Sequence, residues 1–534
     1  MDCPGAADPC LPGVLVKAQR PAVCGPAPYA PDVSTIDLPA ATGHRLSLGG
    51  SLGAVAGFAV SLPPSLLPRE SVMQGVLSGI LVAIGYRLGR LIVRGTRRLG
   101  GGLAPAWAPL GLLGPLGLLA AANACRWLGW QNAQRLEMGM TPLSLQAWVP
   151  TLLITALVAG LLTLLHRGLC AVASRCANPV LSGVAFAAAA ALVVAGTGVA
   201  IVVATSAFAH SRDRGTTQGT VQPASALRSG SPSSLVDWAE LGRKGRDFVA
   251  FGPTVAELTA ANSTQALEPI RVYIGRDAAE SVQARAALAV AELRRTGAFD
   301  RKVLVLAVPT GTGLVEPFSA DAVEYLHNGD TAIAAVAYSD LPSWLSIAMD
   351  RQKVRQTATA LFDAVYPVWQ ALPADRRPQL YLYGHSLGAY GLQPVLAAAA
   401  QLPQPIDGAL LAGPPFMGAL APPEVPWARY LQHPSDPVVL VSASLAWQRP
   451  GWLGGDRPPD LPAQMRWLPL VTWLQVAADL PQAVFVPWGY GHMYSERDYL
   501  LGWAEASTSA SAQRIDALVE QMRNDSSPVS YMLN

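Results

Sequence analysis

This 534-residue chain is short of charge: Asp, Glu, Lys and Arg make up 14% of it, against 51% for apolar side chains. Soluble domains usually carry about 25% charged residues. The shortage excludes a disordered chain, a nucleic-acid binder and a single ordinary soluble domain. What charge there is falls unevenly. Residues 1–210 hold 13 Lys and Arg but only 6 Asp and Glu, whereas residues 211–534 hold 25 and 30. The net charge of +2 therefore averages a basic, apolar part and a mildly acidic, water-compatible part. Cysteine is missing from the second part, which excludes an internal disulfide there. Cys3, Cys10, Cys24, Cys125, Cys170 and Cys176 all lie in the first, at no zinc-ligand spacing. Neither a metal nor a cofactor is expected.

Charge is absent from whole windows of the first part: Leu46–Pro68, Ser71–Tyr86, Leu99–Cys125, Met138–Leu165 and Cys176–Ala209. A membrane-spanning helix needs about 20 mostly apolar residues. Four windows reach that length, and the second reaches it through Leu91, Ile92 and Val93 if Arg87 and Arg90 snorkel to the surface. The first contains Pro63 and Pro64, so four spans is the alternative to five. The runs Arg87, Arg90, Arg94, Arg97, Arg98 and Arg167, Arg175 belong on the cytoplasmic side. Five spans from an internal N-terminus then put the second part on the extracytoplasmic side of the cell membrane. Trp127, Trp130 and Trp148 flank the loop between the third and fourth spans, where an interfacial belt would sit. No Asp, Glu or His lies inside the five windows to mark a conduit, so the spans read as an anchor in the lipid bilayer.

The expected organisation is a disordered tail (1–45), a transmembrane helical domain (46–210), a linker and membrane-proximal segment (211–250), and an α/β domain (251–534). Ser211–Pro232, rich in Ser, Gly, Thr and Gln, reads as the linker. Gly242-Arg243-Lys244-Gly245-Arg246 reads as a solvated charge cluster, with anionic headgroups as its alternative partner. Beyond it, strand-like runs alternate with helical patterns. The runs are Ile270–Ile274, Lys302–Val308, Ala332–Tyr338, Gln379–Tyr383, Ala409–Ala412, Ala428–Leu431 and Ala483–Val486. Alternation of this kind predicts a doubly wound, mostly parallel sheet.

Gly384-His385-Ser386-Leu387-Gly388 lies between the fourth run and a helix. A strand that turns sharply into a helix holds the Ser hydroxyl clear of the sheet, and the flanking glycines avoid clashes in that turn. Gly49-Gly50-Ser51-Leu52-Gly53 has the same pattern but opens a membrane window with no strand before it, so Ser51 reads as coincidence. A hydroxyl nucleophile needs a base, and the base an orienting carboxylate, in the order Ser, acid, His. Only His433 and His492 follow Ser386. His492 comes after the last strand-like run and is the expected base. Asp436, after Ala428–Leu431, is the expected acid, ahead of Asp456 and Asp460. An oxyanion pocket would use the Leu387 N–H and one from Pro309-Thr310-Gly311-Thr312-Gly313, either Thr310 or Gly311.

Together with Arg295-Thr296-Gly297-Ala298-Phe299-Asp300-Arg301 and Gln432–Val439, these motifs resemble a bacterial α/β-hydrolase family whose members carry a multi-span N-terminal membrane domain. The resemblance runs from about Leu46 to Trp503. It implies an α/β-hydrolase fold and a triad of Ser386, Asp436 and His492, and implies little about substrate. The expectation is a membrane-anchored serine hydrolase, esterase- or lipase-like. An acyltransferase using the same triad, or a transport or scaffold protein with an inactive hydrolase-like domain, are the alternatives. More than 50 residues separate the acid from the base, including Trp447, Trp452, Trp467 and Trp473. They read either as a lid for a lipophilic acyl-ester substrate or as an enlarged crossover.

Overall fold

A computed structural model describes residues 47–98, 108–176, 178–415, 425–454, 458, 460–508 and 510–524. The expected N-terminal tail lies outside the described residues. Five helices come first: α1 (Leu48–Ser61), α2 (Ser71–Arg98), α3 (Ala108–Glu137), α4 (Trp148–Ala173) and α5 (Pro179–Arg214). Among the described residues, three stretches are long and apolar enough to cross a membrane by length and composition, Ser71–Thr96, Leu145–Ala173 and Val180–Arg214. The first expected window forms a shorter helix. α1 has 14 residues and so extends only about 21 Å, against a hydrocarbon core of about 30 Å. α3, 30 residues long, begins inside the third charge-free window and carries Arg126, Arg135 and Glu137 only after Cys125; residues 99–107 of that window lie outside the described residues.

Glycine sets how these helices meet. A Cβ on Gly53 would lie 2.0 Å from the Gly85 carbonyl oxygen, and one on Gly89 would lie 1.9 Å from that of Gly49. The second Gly-x-Ser-x-Gly pattern is thus part of a small-residue seam that lets α1 and α2 pack backbone to backbone. On its other face α2 turns Gly75 and Gly79 toward Ile154 and Val158 of α4. α1 and α2 run antiparallel, with Gly49 beside Gly89 and Gly57 beside Leu81. Trp127 does not face outward. It is fully buried, packs on the Trp148 ring at 4.6 Å and donates from Nε1 to Gln74 at 3.2 Å.

The expected linker is tied down rather than free. Its first residues complete α5, and Thr217 and Thr220 donate their hydroxyls to Asp247 at 3.0 Å each. Leu227 and Ser229 then hydrogen-bond the backbone of Arg271, extending the edge of the sheet. Ser, Thr and Gly mark irregular backbone here, and their small hydroxyls supply its hydrogen bonds. Nor is the basic cluster solvated. It falls on α6 (Gly242–Ala250), where Arg246 is buried and donates to the Asp213 and Gly215 carbonyls. The Arg243 N–H meets the Asp213 carboxylate at 2.9 Å, so α6 is fastened to the end of α5.

The remaining helices are α7 (Val255–Asn262), α8 (Val282–Arg295), α9 (Pro317–Leu326), α10 (Ser343–Met349), α11 (Arg351–Gln370), α12 (Leu387–Ala399), α13 (Pro437–Leu440), α14 (Val471–Asp479), α15 (Glu496–Ser507) and α16 (Ala512–Asn524). The strands are β1 (Ile270–Ile274), β2 (Val303–Val308), β3 (Thr331–Val336), β4 (Gln379–His385), β5 (Gly408–Ala412) and β6 (Ala428–Leu431). All pairs are parallel, in the order β1-β3-β2-β4-β5-β6. α8, α11 and α12 cover one face and α9 and α15 the other, which is why β1, β2, β3 and β5 are buried end to end. This is the α/β-hydrolase arrangement expected.

One expected strand does not form. Ala483–Val486 is turn, directly after a 3-10 turn at Leu480–Gln482. Ala483 is buried, but Phe485 is 76% exposed, so the run has no sheet neighbour on that side. The long stretch before it is neither a loose flap nor a simple crossover. Leu445, Leu453, Leu461, Met465, Val476 and Ala483 form a second core, and Leu66 and Leu67 from the α1–α2 turn complete it. Trp452 and Trp467 pack against this core, while Trp447 remains exposed.

Candidate active site

Strand register places the functional loops together. Val308 is level with Gly384, His385 with Ala412, and Ala412 with Leu431. The loops that follow β2, β4, β5 and β6 therefore emerge along one edge. Ser386 sits between β4 and α12 with φ 53° and ψ −120°. A non-glycine residue there costs of order 1–3 kcal/mol, strain that surrounding structure must hold. The glycines around it do this by allowing close approach. A Cβ on Gly388 would lie 2.0 Å from the Val308 carbonyl oxygen and 3.0 Å from that of Pro309. α12 thus begins against the end of β2.

Asp436 and His492, 56 residues apart, are brought into contact: His492 Nδ1 lies 2.7 Å from Asp436 Oδ2. Asp436 is fully buried. Its Oδ1 accepts the Val438 N–H at 2.9 Å, capping α13, and its Oδ2 also accepts the Tyr494 hydroxyl at 3.0 Å. Burial first, and then the Asp436 charge, hold the Tyr494 phenol well above its ordinary pKa, so it remains a donor. The other ring nitrogen, His492 Nε2, is buried and makes no hydrogen bond among the described residues. Its ring packs against the end of β5. A Cβ on Gly413, which has φ 55°, would lie 2.6 Å from His492 Cε1. Since Ser386 N donates to Ala412 O at 2.8 Å, the base ring and the serine share one wall.

The other candidates occupy supporting positions. His433 Nδ1 meets the Gly491 carbonyl at 2.9 Å, Nε2 meets Asp498 Oδ2 at 3.2 Å, and the ring stacks on Tyr494 at 4.3 Å. Asp460 accepts the Ser435 N–H at 2.9 Å, and the Ser435 Oγ in turn accepts the Gly491 N–H at 3.1 Å. Asp460 thus braces the acid loop from beside it. Asp456 lies outside the described residues. In the loop after β2, the Thr310 N–H already donates to Leu314 O at 3.0 Å, which removes Thr310 as an anion donor. The N–H groups of Gly311 and Leu387 have no partner among the described residues.

Three features were not expected from the sequence. Tyr494 and Gly413 are two. The third is His385, buried beneath Ser386, with Nδ1 2.8 Å from the Tyr499 hydroxyl and its ring 5.0 Å from that of His492. Burial, reinforced by His492, holds its pKa well below the ordinary value, so it is neutral. Nearby Glu316 is also buried, and burial pushes its carboxyl up to about 8. No three His, Cys, Asp or Glu side chains converge to hold a metal among the described residues.

Comparison with known proteins agrees with this architecture. Residues 62–253 match the family model described as the alpha/beta-hydrolase family N-terminus, and residues 270–423 and 419–518 match the one described as the alpha/beta-hydrolase family. No curated protein matches. Among solved structures, a Trichoderma reesei cutinase in complex with a C11Y4 phosphonate inhibitor aligns over 38% of this chain and 89% of its own. The identity is 17% and the TM-score 0.21, a likeness too slight to add to the fold described.

Proposed function

Because the chain belongs to this alpha/beta-hydrolase family, we propose that it is a membrane-anchored serine hydrolase that cleaves acyl esters through Ser386, His492 and Asp436. The observation that carries the reading is the buried Asp436–His492 hydrogen bond beside the strained Ser386 turn. Asp436 orients the imidazole through Nδ1, leaving Nε2 to take the Ser386 proton as Oγ attacks the acyl carbonyl. The unengaged N–H groups of Leu387 and Gly311 receive the developing oxyanion, aided by the N-terminus of α12. Nε2 then returns the proton to the leaving alcohol, and water resolves the acyl-enzyme. An alcohol in place of water would make the same site an acyltransferase. Exposed apolar residues of the acid-to-base stretch, Trp447 and Leu470 among them, favour a lipophilic acyl ester.

Topology supports an extracytoplasmic hydrolase domain. The α1–α2 turn and the end of α3 lie at the hydrolase end, where Leu67 and Arg69 meet Asp479 and the Tyr490 hydroxyl donates to Glu137 O at 2.9 Å. Arg87, Arg90 and Arg94 follow toward the far end of α2, and Arg167 toward the far end of α4. A cytoplasmic location for those arginines puts the hydrolase domain outside. The catalytic reading is tested with a chain-length series of p-nitrophenyl esters. Full-length wild type is expected to hydrolyse at least part of the series, and Ser386→Ala to lose about 10³-fold or more. Equal rates for the two proteins would contradict it.

A further inference from the structure

The base loop has no strand beneath it, so something else must hold His492 at its height. Its N–H donates to Ala483 O at 2.9 Å, and Ala483 follows the end of α14 by four residues. The position of α14 therefore bears on that of His492, beside the contacts its ring makes with Asp436 and Gly413. Asp479, the last residue of α14, is fully buried, and its partners come from the helical region. Arg69 Nε donates to Oδ1 at 3.0 Å, and the Leu67 N–H to Oδ2 at 3.4 Å.

Arg69, also fully buried, is itself held by three helices. Its backbone N–H donates to Gln131 Oε1 of α3 at 2.5 Å. Its Nη1 donates to Gln74 Oε1 of α2 at 3.3 Å and to Ser61 O of α1 at 3.5 Å. Leu67 adds a direct apolar contact, lying 3.5 Å from where a Cβ on Gly491 would sit. Burying an ion pair gives little net stability, because desolvation offsets most of the attraction. What a clamped pair does supply is a fixed geometry between two elements.

We propose that the Arg69–Asp479 ion pair is a latch by which the helical region sets the position of His492, so that this region is a working part of the hydrolase site as well as an anchor. Arg69, Leu67 and Asp479 are positioning residues in this account, which rests on the hydrolase reading above. Misplacing a catalytic group by about 1 Å can cost about 100-fold in rate.

The test uses the full-length protein in detergent, a short p-nitrophenyl ester, and active sites counted by fluorophosphonate titration. Counting removes any contribution from a smaller folded fraction. Asp479→Asn and Leu67→Ala are expected to lower kcat per active site by about tenfold or more, with KM within about twofold. Asp479→Glu should recover part of the loss. Glu70→Gln loosens the neighbouring Arg135–Glu70 pair without touching Asp479, and should leave both constants unchanged. If Asp479→Asn does not fold, Leu67→Ala decides alone, because it strands no buried charge. Wild-type kcat in the folded variants overturns the latch while leaving the hydrolase reading intact. A wild type that neither titrates nor hydrolyses any ester overturns both.

Discussion

At the residue scale, the site depends on close approaches that a single sequence does not display. Ser386, Asp436 and His492 were legible because their chemistry requires a fixed order and each follows a recognisable run. Gly413 and Tyr494 were not, since each matters only through a partner about 80 or 58 residues away. His433 is instructive because on paper it competes with His492. Burial alone would lower its pKa, but the hydrogen bond and charge of Asp498 outweigh this and hold it above the ordinary value. The folded protein therefore favours the imidazolium. Its contribution to stability is complete below about pH 6.5 and fades as pH rises through the raised pKa. The thermal midpoint of wild type should exceed that of His433→Gln by more at pH 6 than at pH 9. A gap that is flat or widens with pH would contradict the pairing. Turnover in His433→Gln should stay within about tenfold of wild type, while His492→Ala loses about 10³-fold or more.

At the element scale, periodicity and punctuation located β1 to β6 to within a few residues, whereas α15, which covers one face of the sheet, was not marked. Ala483–Val486 failed because an apolar β-prone run becomes a strand only beside a partner, and here α14 and its 3-10 turn leave none. The helical region shows the opposite difficulty. Absence of charge marked its helices, but hydropathy does not say which residues pack together. The glycine seam between α1 and α2 does, and it gives the Gly49–Gly53 pattern a role unrelated to nucleophiles. A bulky side chain in that seam must separate the two backbones. Gly85→Leu, whose Cβ would lie 2.1 Å from the Gly53 carbonyl oxygen, should lower the thermal midpoint in detergent and raise proteolysis within the α1–α2 turn. Gly95→Leu, where a Cβ meets nothing within 4 Å, should do neither. Equal stability of both variants would contradict the seam.

At the scale of the whole molecule, the shortage of charge separates an apolar helical part from an α/β part, but the two are more intimately joined than composition suggests. The stretch read as a linker is hydrogen-bonded to β1, and α6 is fastened to the end of α5. The α1–α2 turn completes the second core around the base loop. Linker-like composition reports an irregular backbone, and long-range burial of Arg69 against Asp479 has no local signature. The two parts thus meet at the segment that carries His492, and the proposed role of Ser386 as nucleophile is the claim on which the rest depends. The most direct measurement is mass spectrometry of the intact, full-length protein after reaction with a fluorophosphonate probe. The account predicts one covalent adduct, on Ser386, that is lost in Ser386→Ala and strongly slowed in His492→Ala. An unlabelled wild type, or an adduct that persists in Ser386→Ala, would contradict it.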